Sequence, residues 1–250
     1  MTDNLWHSVA THLEDLRTML VRMLVAVSLC GVAAFVAKDP IFAFCLAPTQ
    51  SDFLTYRLLG YRCETVHLIN TALMRPLMLH IQTALTVGCL AALPYCLYQL
   101  FVFLSPALYP KEKAYARTIF GVGFLLFLIG GTLAYWVLFP LCFRFLASYQ
   151  VESSIANMIT LDSYLTCLLR TVLAMGVVFE LPILAWALAK AGWLQHTQMV
   201  RYRKHAVVGI LVLAAVITPT PDVFTLLVAA LPIFALYELC ILIVRLTTRI

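Results

Sequence analysis

The chain has 250 residues, of which 63% are hydrophobic and 12% are charged, and its mean hydropathy is +0.94. Soluble domains carry about 25% charged residues, so this composition excludes an ordinary water-soluble globule. At about 20 apolar residues per spanning helix, the chain has room for six or seven membrane crossings but not for a soluble catalytic domain. The net charge of +5 is spread along the chain, whereas nucleic-acid binding needs a clustered basic face.

The eight cysteines show no metal-binding spacing, because neither Cys-x-x-Cys nor Cys-x-x-His occurs. Most of them lie in apolar stretches, as is typical of small packing residues. Cys45 and Cys63 share one polar loop, where they form a disulfide if the loop faces an oxidising compartment and otherwise remain thiols. Hydrolase and phosphate-binding motifs are also absent from the sequence, so we expect no metal, no cofactor and no catalytic residue.

The first predicted element is an amphipathic helix over 5–19, where apolar residues recur at helical spacing between charged ones. We expect it to lie on the membrane surface, ahead of a first span over 20–37. Acidic residues near the start are unlike a secretory signal peptide, so we expect the N-terminus to be retained. Residues 39–75 are the longest polar excursion, and their aromatic and apolar content predicts a structured cap rather than a linker.

Three further spans are predicted over 76–104, 118–139 and 163–190. A charged loop over 105–117 and an exposed connection over 141–162 separate them. The third span contains several glycines, which offer sites where another helix can approach closely.

The last two spans are predicted to be short. The Pro-rich turn at 218–222 cannot continue a helix, which leaves 206–217 and 223–242 as the fifth and sixth spans. Residues 206–217 reach only about 18 Å across a hydrocarbon layer of about 30 Å. We therefore expect a thinned bilayer beside the fifth span, or shelter by neighbouring helices.

The distribution of cations predicts the orientation. Eleven of the seventeen Lys and Arg residues fall in the N-terminal segment, the 105–117 loop, the 190–205 loop or the C-terminus. Since cations concentrate on the cytoplasmic side, both termini are predicted to be cytoplasmic and the number of spans to be even. The predicted fold class is therefore an all-α integral membrane protein with six transmembrane helices.

Glu180 is the most informative single residue, because it places an acid inside an apolar span. A charge there is costly unless it faces protein or water, so Glu180 indicates a functional surface. The alternative is a structural role, with Glu180 protonated or paired with a buried donor such as His80 or Gln82. Arg170 lies about 15 Å away along the same helix, so we expect it to contact headgroups or Asp162 instead.

Two cytoplasmic segments, HLEDLR at 12–17 and SPALYPKEK at 105–113, each place acids among cations at the membrane surface. Such charges commonly solvate a helix end. They also attract a cationic peptide, because guanidinium groups pair with carboxylates in a bidentate manner. The residues alone leave both interpretations open.

The order of several segments resembles TatC, the polytopic subunit of the twin-arginine protein translocase. The matching segments are HLEDLR at 12–17, SPALYPKEK at 105–113, FGVGFLLFLIG at 120–130, AYWVLFPLCFRF at 134–145, FELP at 179–182, TPTPD at 218–222 and LYE at 236–238. The resemblance implies a glove-shaped, concave bundle in the bacterial inner membrane. It also implies a receptor without catalytic turnover, which binds twin-arginine signal peptides of folded cargo, recruits the single-span partners TatA and TatB in homo- and hetero-oligomers, and depends on the protonmotive force.

The resemblance also assigns roles to individual residues. Glu112 matches the acid that binds the arginine pair, and the N-terminal acid of the family pattern falls on Asp15, with Glu14 as its substitute. Asp15 stands where the pattern has Glu, which shortens its reach by one methylene. Glu180 matches the intramembrane acid on the concave face.

The last two spans match the family's docking edge for TatA and TatB. The residues that we assign to partner docking or structure are Pro182, Pro221, Asp222 and Glu238. Asp222 equally suits a cap of the sixth helix.

Two other functions remain as alternatives. A proton-coupled small-molecule secondary transporter would use Glu180 as a midplane site between inverted repeats, although no such repeat occurs in the sequence. A purely structural membrane scaffold would leave the cytoplasmic acids dispensable.

Overall fold

A computed structural model describes residues 2–58, 60, 65–104, 110–149, 158–190, 192–218 and 222–247, and all of their side chains except those of 2–12, 101, 104 and 110–120. The described residues are almost entirely helical. The extended pairing among them is one parallel bridge between Ile69 and Thr160. The chain is therefore an all-α protein, as its apolar runs predict.

Eleven α-helices are present in the described part of the chain. They are α1 (Thr2–Val36), α2 (Lys38–Leu46), α3 (Leu54–Leu58), α4 (Arg75–Leu104), α5 (Pro110–Leu133), α6 (Phe139–Ser148), α7 (Leu161–Val178), α8 (Leu181–Lys190), α9 (His196–Arg201), α10 (Arg203–Ile217) and α11 (Val223–Thr247). A 3₁₀ turn, Ala47–Thr49, follows α2, and a π-helical turn, Ala134–Leu138, joins α5 to α6. The chain folds as two compact units, unit 1 (Met1–Ile41 and Leu77–Phe124) and unit 2 (Phe42–Pro76 and Leu125–Ile250).

Five helical stretches of the described residues are long and apolar enough to cross a bilayer. They are Leu13–Val36, Arg75–Leu100, Gly121–Ser148, Leu161–Lys190 and Val223–Thr247. The chain is thus a multi-pass membrane protein. The fifth predicted span corresponds to α10, which has 15 residues and a length of about 22 Å, less than the hydrocarbon thickness of about 30 Å.

The N-terminus differs from the prediction. A separate surface helix over 5–19 is not formed, because α1 runs without interruption from Thr2 to Val36. No proline occurs in this segment, so nothing in the backbone separates the amphipathic part from the apolar part.

Other boundaries also differ. The predicted loop over 105–117 is helical from Pro110, a residue suited to the first helical position because its missing N–H has no partner there in any case. The helix α10 begins at Arg203, within the expected basic loop. The helix α11 has 25 residues rather than the predicted short span, because its apolar run continues through Val244. Of the last two helices, α10 is therefore the short one.

Two prolines inside the spans change the backbone. Pro140 has no N–H to donate to the carbonyl of Trp136, and the chain forms the π-helical turn just before it. The hydroxyl of Thr55 donates to the carbonyl of Trp136 instead. Pro182 acts similarly in the predicted fourth span, which is divided at residues 179–180 into α7 and α8.

Within unit 1, α1 and α4 approach closely at two glycines. A Cβ atom added at Gly88 would lie 2.5 Å from the Cα of Gly31, so a side chain there would force the two helices apart. Nearer the end of α1, the His80 ring stacks on Phe35 at 4.0 Å between centroids, and its Nε2 lies 3.0 Å from the Phe35 carbonyl oxygen.

Within unit 2, three tyrosines hold the segment that follows the first span. Tyr135 donates to the Phe44 carbonyl at 2.6 Å, Tyr164 to the Cys45 carbonyl at 2.8 Å and Tyr56 to the Pro48 carbonyl at 2.9 Å. The Phe44 and Cys45 carbonyls belong to the last turn of α2, where no intrahelical donor exists. The predicted cap over 39–75 is therefore structured where it is described, through α2, the 3₁₀ turn and α3.

Cys45 is buried beneath these tyrosines. Burial raises the pKa of its thiol to about 11, so the reactive thiolate is scarce near neutral pH. Cys63 lies outside the described residues, and its pairing with Cys45 stays a prediction.

The packing of α5 on α7 depends on two more glycines. A Cβ atom at Gly130 would lie 2.6 Å from Cγ of Phe179 and 2.8 Å from the Met175 carbonyl oxygen. A Cβ atom at Gly176 would lie 2.6 Å from the Phe127 ring. Gly130 of α5 therefore accommodates Phe179, the residue that follows α7, and Gly176 of α7 accommodates Phe127 of α5.

We expect Gly130→Ala to destabilise the protein by about 1–3 kcal/mol, because the added methyl group overpacks the contact with α7. Gly121→Ala is the matched control in the same helix, since no atom lies within 4 Å of the added Cβ. It should leave the stability unchanged or raise it by up to about 1 kcal/mol. Thermal unfolding in detergent, followed by tryptophan fluorescence, measures both. Equal losses would contradict this packing assignment.

Candidate functional site

Glu180 lies at the break between α7 and α8. Its N–H donates to the Val177 carbonyl at 3.1 Å, which closes the end of α7. Its own carbonyl accepts from the N–H groups of Ile183 at 3.1 Å and Leu184 at 3.2 Å, which begins α8. The break follows from Pro182, whose missing N–H cannot bond to the Val178 carbonyl.

The carboxylate of Glu180 is half-buried in an apolar environment. Its neighbours along the chain, Val178 and Phe179, belong to the main hydrophobic core of unit 2, together with Met175. The Oε1 atom is buried and accepts no hydrogen bond from the described residues. A buried polar atom without a partner costs free energy, so this oxygen is suited to accept a proton or a donor from another molecule.

Two contacts suggested from the sequence, Arg170 with Asp162 and Glu180 with His80, are not formed. Arg170 does not pair with Asp162: its Nη2 donates to the Val216 carbonyl at 2.7 Å, and Asp162 forms an ion pair with Arg75. His80, a suggested partner of Glu180, contacts Phe35 within unit 1.

The acids of the N-terminal motif are carried by α1 in unit 1. Glu14 and Asp15 are both exposed, and so is Arg17. Since consecutive helical residues point about 100° apart, Glu14 and Asp15 present their carboxylates to different directions around α1.

Glu112 is the third residue of α5, and its side chain lies outside the described part of the chain, as do residues 105–109. An acid in the first turn of a helix is stabilised by the positive end of the helix dipole. Glu112 belongs to the same compact unit as Asp15.

The last two helices place the remaining predicted residues in structural contacts. Asp222 caps α11, because its Oδ2 accepts from the Thr225 N–H at 2.8 Å and its Oδ1 accepts from the Thr225 hydroxyl at 2.6 Å. Glu238 accepts from Arg203 at 2.7 Å, which ties the start of α10 to α11. Pro182 is buried in the first turn of α8, and Pro221 lies outside the described residues.

The Arg203–Glu238 pair is not among the sequence predictions, although the sequence contains a signal for it. The two residues are nearly equidistant from the Pro-rich turn at 218–222. In two antiparallel helices joined by such a turn, residues equidistant from it lie side by side. By contrast, no sequence pattern indicates that Arg170 contacts a backbone carbonyl.

Among the described residues, no group of three His, Cys, Asp or Glu side chains is placed to hold a metal ion. The side-chain arrangement thus offers exposed carboxylates on α1, a half-buried carboxylate at Glu180, and a tied α10–α11 pair.

Comparison with known proteins identifies the family. The family model described as "Sec-independent protein translocase protein (TatC)" matches residues 11–232. The TatC protein of Deinococcus radiodurans is 35% identical over 235 residues, which cover 94% of this chain and 84% of the relative. The TatC protein of Aquifex aeolicus is 32% identical over 240 residues, 95% of each chain.

A solved structure agrees with these relatives. The crystal structure of a twin arginine translocase receptor, TatC, superposes with a TM-score of 0.78 at 32% identity, and the match covers 95% of this chain and 99% of that one. These relatives are protein translocase components rather than enzymes. The chain is therefore a member of the TatC family of Sec-independent protein translocase proteins.

Proposed function

We propose that this protein is the signal-peptide receptor and core subunit of a twin-arginine translocase. It resides in the bacterial inner membrane with both termini in the cytoplasm, and it binds the Arg-Arg signal peptides of folded proteins. It acts with TatA and TatB in homo- and hetero-oligomers, and the protonmotive force drives transport. The observation that carries this proposal is the family match over residues 11–232, which includes Asp15, Glu112 and Glu180.

The chemistry of the α1 and α5 acids supports recognition of paired arginines. A guanidinium group donates two parallel hydrogen bonds to a carboxylate, and a lysine cannot reproduce this geometry. Asp15 is exposed on α1, and Glu112 begins α5 in the same compact unit. We assign one signal-peptide arginine to each, with Glu14 as the substitute for Asp15.

We assign Glu180 to contact with a partner helix or to the transport step. The supporting observation is its buried Oε1, which accepts no hydrogen bond within the described chain. A polar side chain on an approaching transmembrane helix would remove that cost. Glu180 therefore favours the docked state over the isolated subunit.

We assign the α10–α11 pair to partner docking. Asp222 and Glu238 support docking indirectly, since the cap on Thr225 and the ion pair with Arg203 fix the two helices that form the docking edge. Pro182 divides α7 from α8, and Pro221 belongs to the Pro-rich turn of the sequence, which cannot continue a helix.

The transporter alternative is not favoured. The sequence contains no internal repeat of the kind that secondary transporters use to build a midplane site. Membership of a protein translocase family accounts for Glu180 without such a site.

We expect Asp15→Lys to weaken signal-peptide binding about 10- to 100-fold, because a charge-assisted hydrogen bond contributes about 1.5–3 kcal/mol. Glu14→Lys is the matched control, since it makes the same charge change at an adjacent exposed residue. Photocrosslinking of a peptide carrying Arg-Arg or Lys-Lys gives a double-mutant cycle. The loss of crosslinking when Arg-Arg is replaced by Lys-Lys should be smaller in the Asp15 variant than in the native protein, and it should be unchanged in the Glu14 variant. The reverse pattern would assign the role to Glu14.

We expect Glu112→Lys to abolish crosslinking of the Arg-Arg peptide while membrane insertion stays normal. The added cation repels the arginines that the carboxylate attracts. Insertion is checked by carbonate extraction, and unchanged crosslinking would refute the assignment of Glu112.

We expect Glu180→Ala to reduce export of a folded reporter and crosslinking to partner subunits, while signal-peptide binding changes less than twofold. Glu180→Gln should retain more partner crosslinking than Ala, because the amide still forms hydrogen bonds. Leu184→Ala, at an exposed residue one turn further along, is the control for a change on this surface. Equal loss of export, partner contact and signal binding would instead indicate a structural role.

A further inference from the structure

Arg170 is a cation inside a membrane span. It lies about 14 Å along α7 from Leu161, within the apolar stretch Leu161–Lys190. Its side chain is exposed rather than enclosed in the core of unit 2. An arginine at this depth is costly unless it has polar partners, so its contacts require an explanation.

One of these contacts is the carboxyl end of the short helix. The helix α10 ends at Ile217, and its last four carbonyls have no intrahelical donor. Both the N–H and the hydroxyl of Thr218 donate to Ala214, at 2.9 and 3.0 Å. Arg170 Nη2 donates to the Val216 carbonyl at 2.7 Å. A cation at this end also interacts favourably with the helix dipole.

The guanidinium group has five N–H donors, and one carbonyl does not use them all. The nearest candidate acid in sequence, Asp162, pairs with Arg75. Asp222, just beyond α10, binds Thr225. Glu180 lies about 15 Å further along the span. The bilayer itself supplies another anion, the phosphodiester of its lipids, which arginine binds in a bidentate manner.

We propose that Arg170 is a lipid-phosphate site that fixes the end of α10. One edge of its guanidinium holds the Val216 carbonyl, and the other binds the phosphodiester of a lipid from the leaflet on the side of the 218–222 turn. The lipid headgroup is thereby held at the level at which α10 ends. This inference requires membrane insertion only and does not depend on the proposed receptor function.

Solid-state NMR tests the lipid contact directly. The protein, with ¹⁵N-labelled arginine, is reconstituted in phosphatidylglycerol–phosphatidylcholine bilayers in a phosphate-free buffer, and ¹⁵N signals dephased by lipid ³¹P are recorded. When the spectrum of Arg170→Leu is subtracted from that of the native protein, one dephased guanidinium signal should remain. Thr166→Leu, at an exposed residue one turn earlier on α7, should leave the spectrum unchanged. Absence of the dephased signal overturns the proposal.

A second arm distinguishes lipid from free phosphate. In maltoside micelles that contain inorganic phosphate but no lipid, the Arg170 signal should show no dephasing. Dephasing there, with none in bilayers, would assign the site to free phosphate and overturn the lipid assignment.

Hydrogen exchange tests whether Arg170 stabilises the end of α10, and it also detects misfolding. Amide exchange at Thr218 in bilayers should be about fivefold faster in Arg170→Leu, the factor that corresponds to a loss of about 1 kcal/mol. Arg170→Lys should give a smaller increase, because its ammonium keeps the charge but loses the planar fork. Exchange in the centre of α11 should stay unchanged in both variants, which shows that unit 2 is folded. Native exchange at Thr218 in Arg170→Leu would contradict the proposal.

Discussion

Unsatisfied backbone carbonyls are the constraint on which this structure depends, because an apolar medium offers them no water. Pro140 deprives the Trp136 carbonyl of its helical donor, and the Thr55 hydroxyl replaces it. Tyrosine hydroxyls reach the last turn of α2, and Arg170 reaches the last turn of α10. At Trp136 and at the ends of α2 and α10, a side chain from another element therefore supplies a donor that the helix lacks.

The break at Glu180 also leaves helix ends that need hydrogen-bond partners, but here no side chain from another described element supplies them. Pro182 ends the helical ladder, and the backbone of Glu180 satisfies both helix ends by itself. The glycine–phenylalanine contacts hold α5 against α7 just before this point. The carboxylate is thus placed by backbone and packing alone, with no polar partner that fixes Oε1 among the described residues. Such a group remains available to a second molecule, which a fully paired structural acid would not.

The sequence predicts the all-α class and the position of each long apolar helix, because hydrophobic length alone decides these features. It fails at several helix boundaries. Nothing in the composition shows that α1 continues through its charged segment or that α5 begins at Pro110. The resemblance identifies Asp15, Glu112 and Glu180 as candidates, but not the contacts of Asp222 with Thr225 or of Arg170 with Val216, since these join side chains and backbone that no sequence period relates.

The two units differ in how they use irregular backbone, and this difference bears on function. The candidate cargo-binding acids belong to regular helices, Asp15 to α1 and Glu112 to the first turn of α5. The intramembrane polar groups Arg170 and Glu180 belong to unit 2, beside a helix that ends early and a span that is broken. Irregular backbone at membrane depth is tolerated only where protein or water covers it. We therefore expect protein or water to cover unit 2 at the end of α10 and at the Glu180 break.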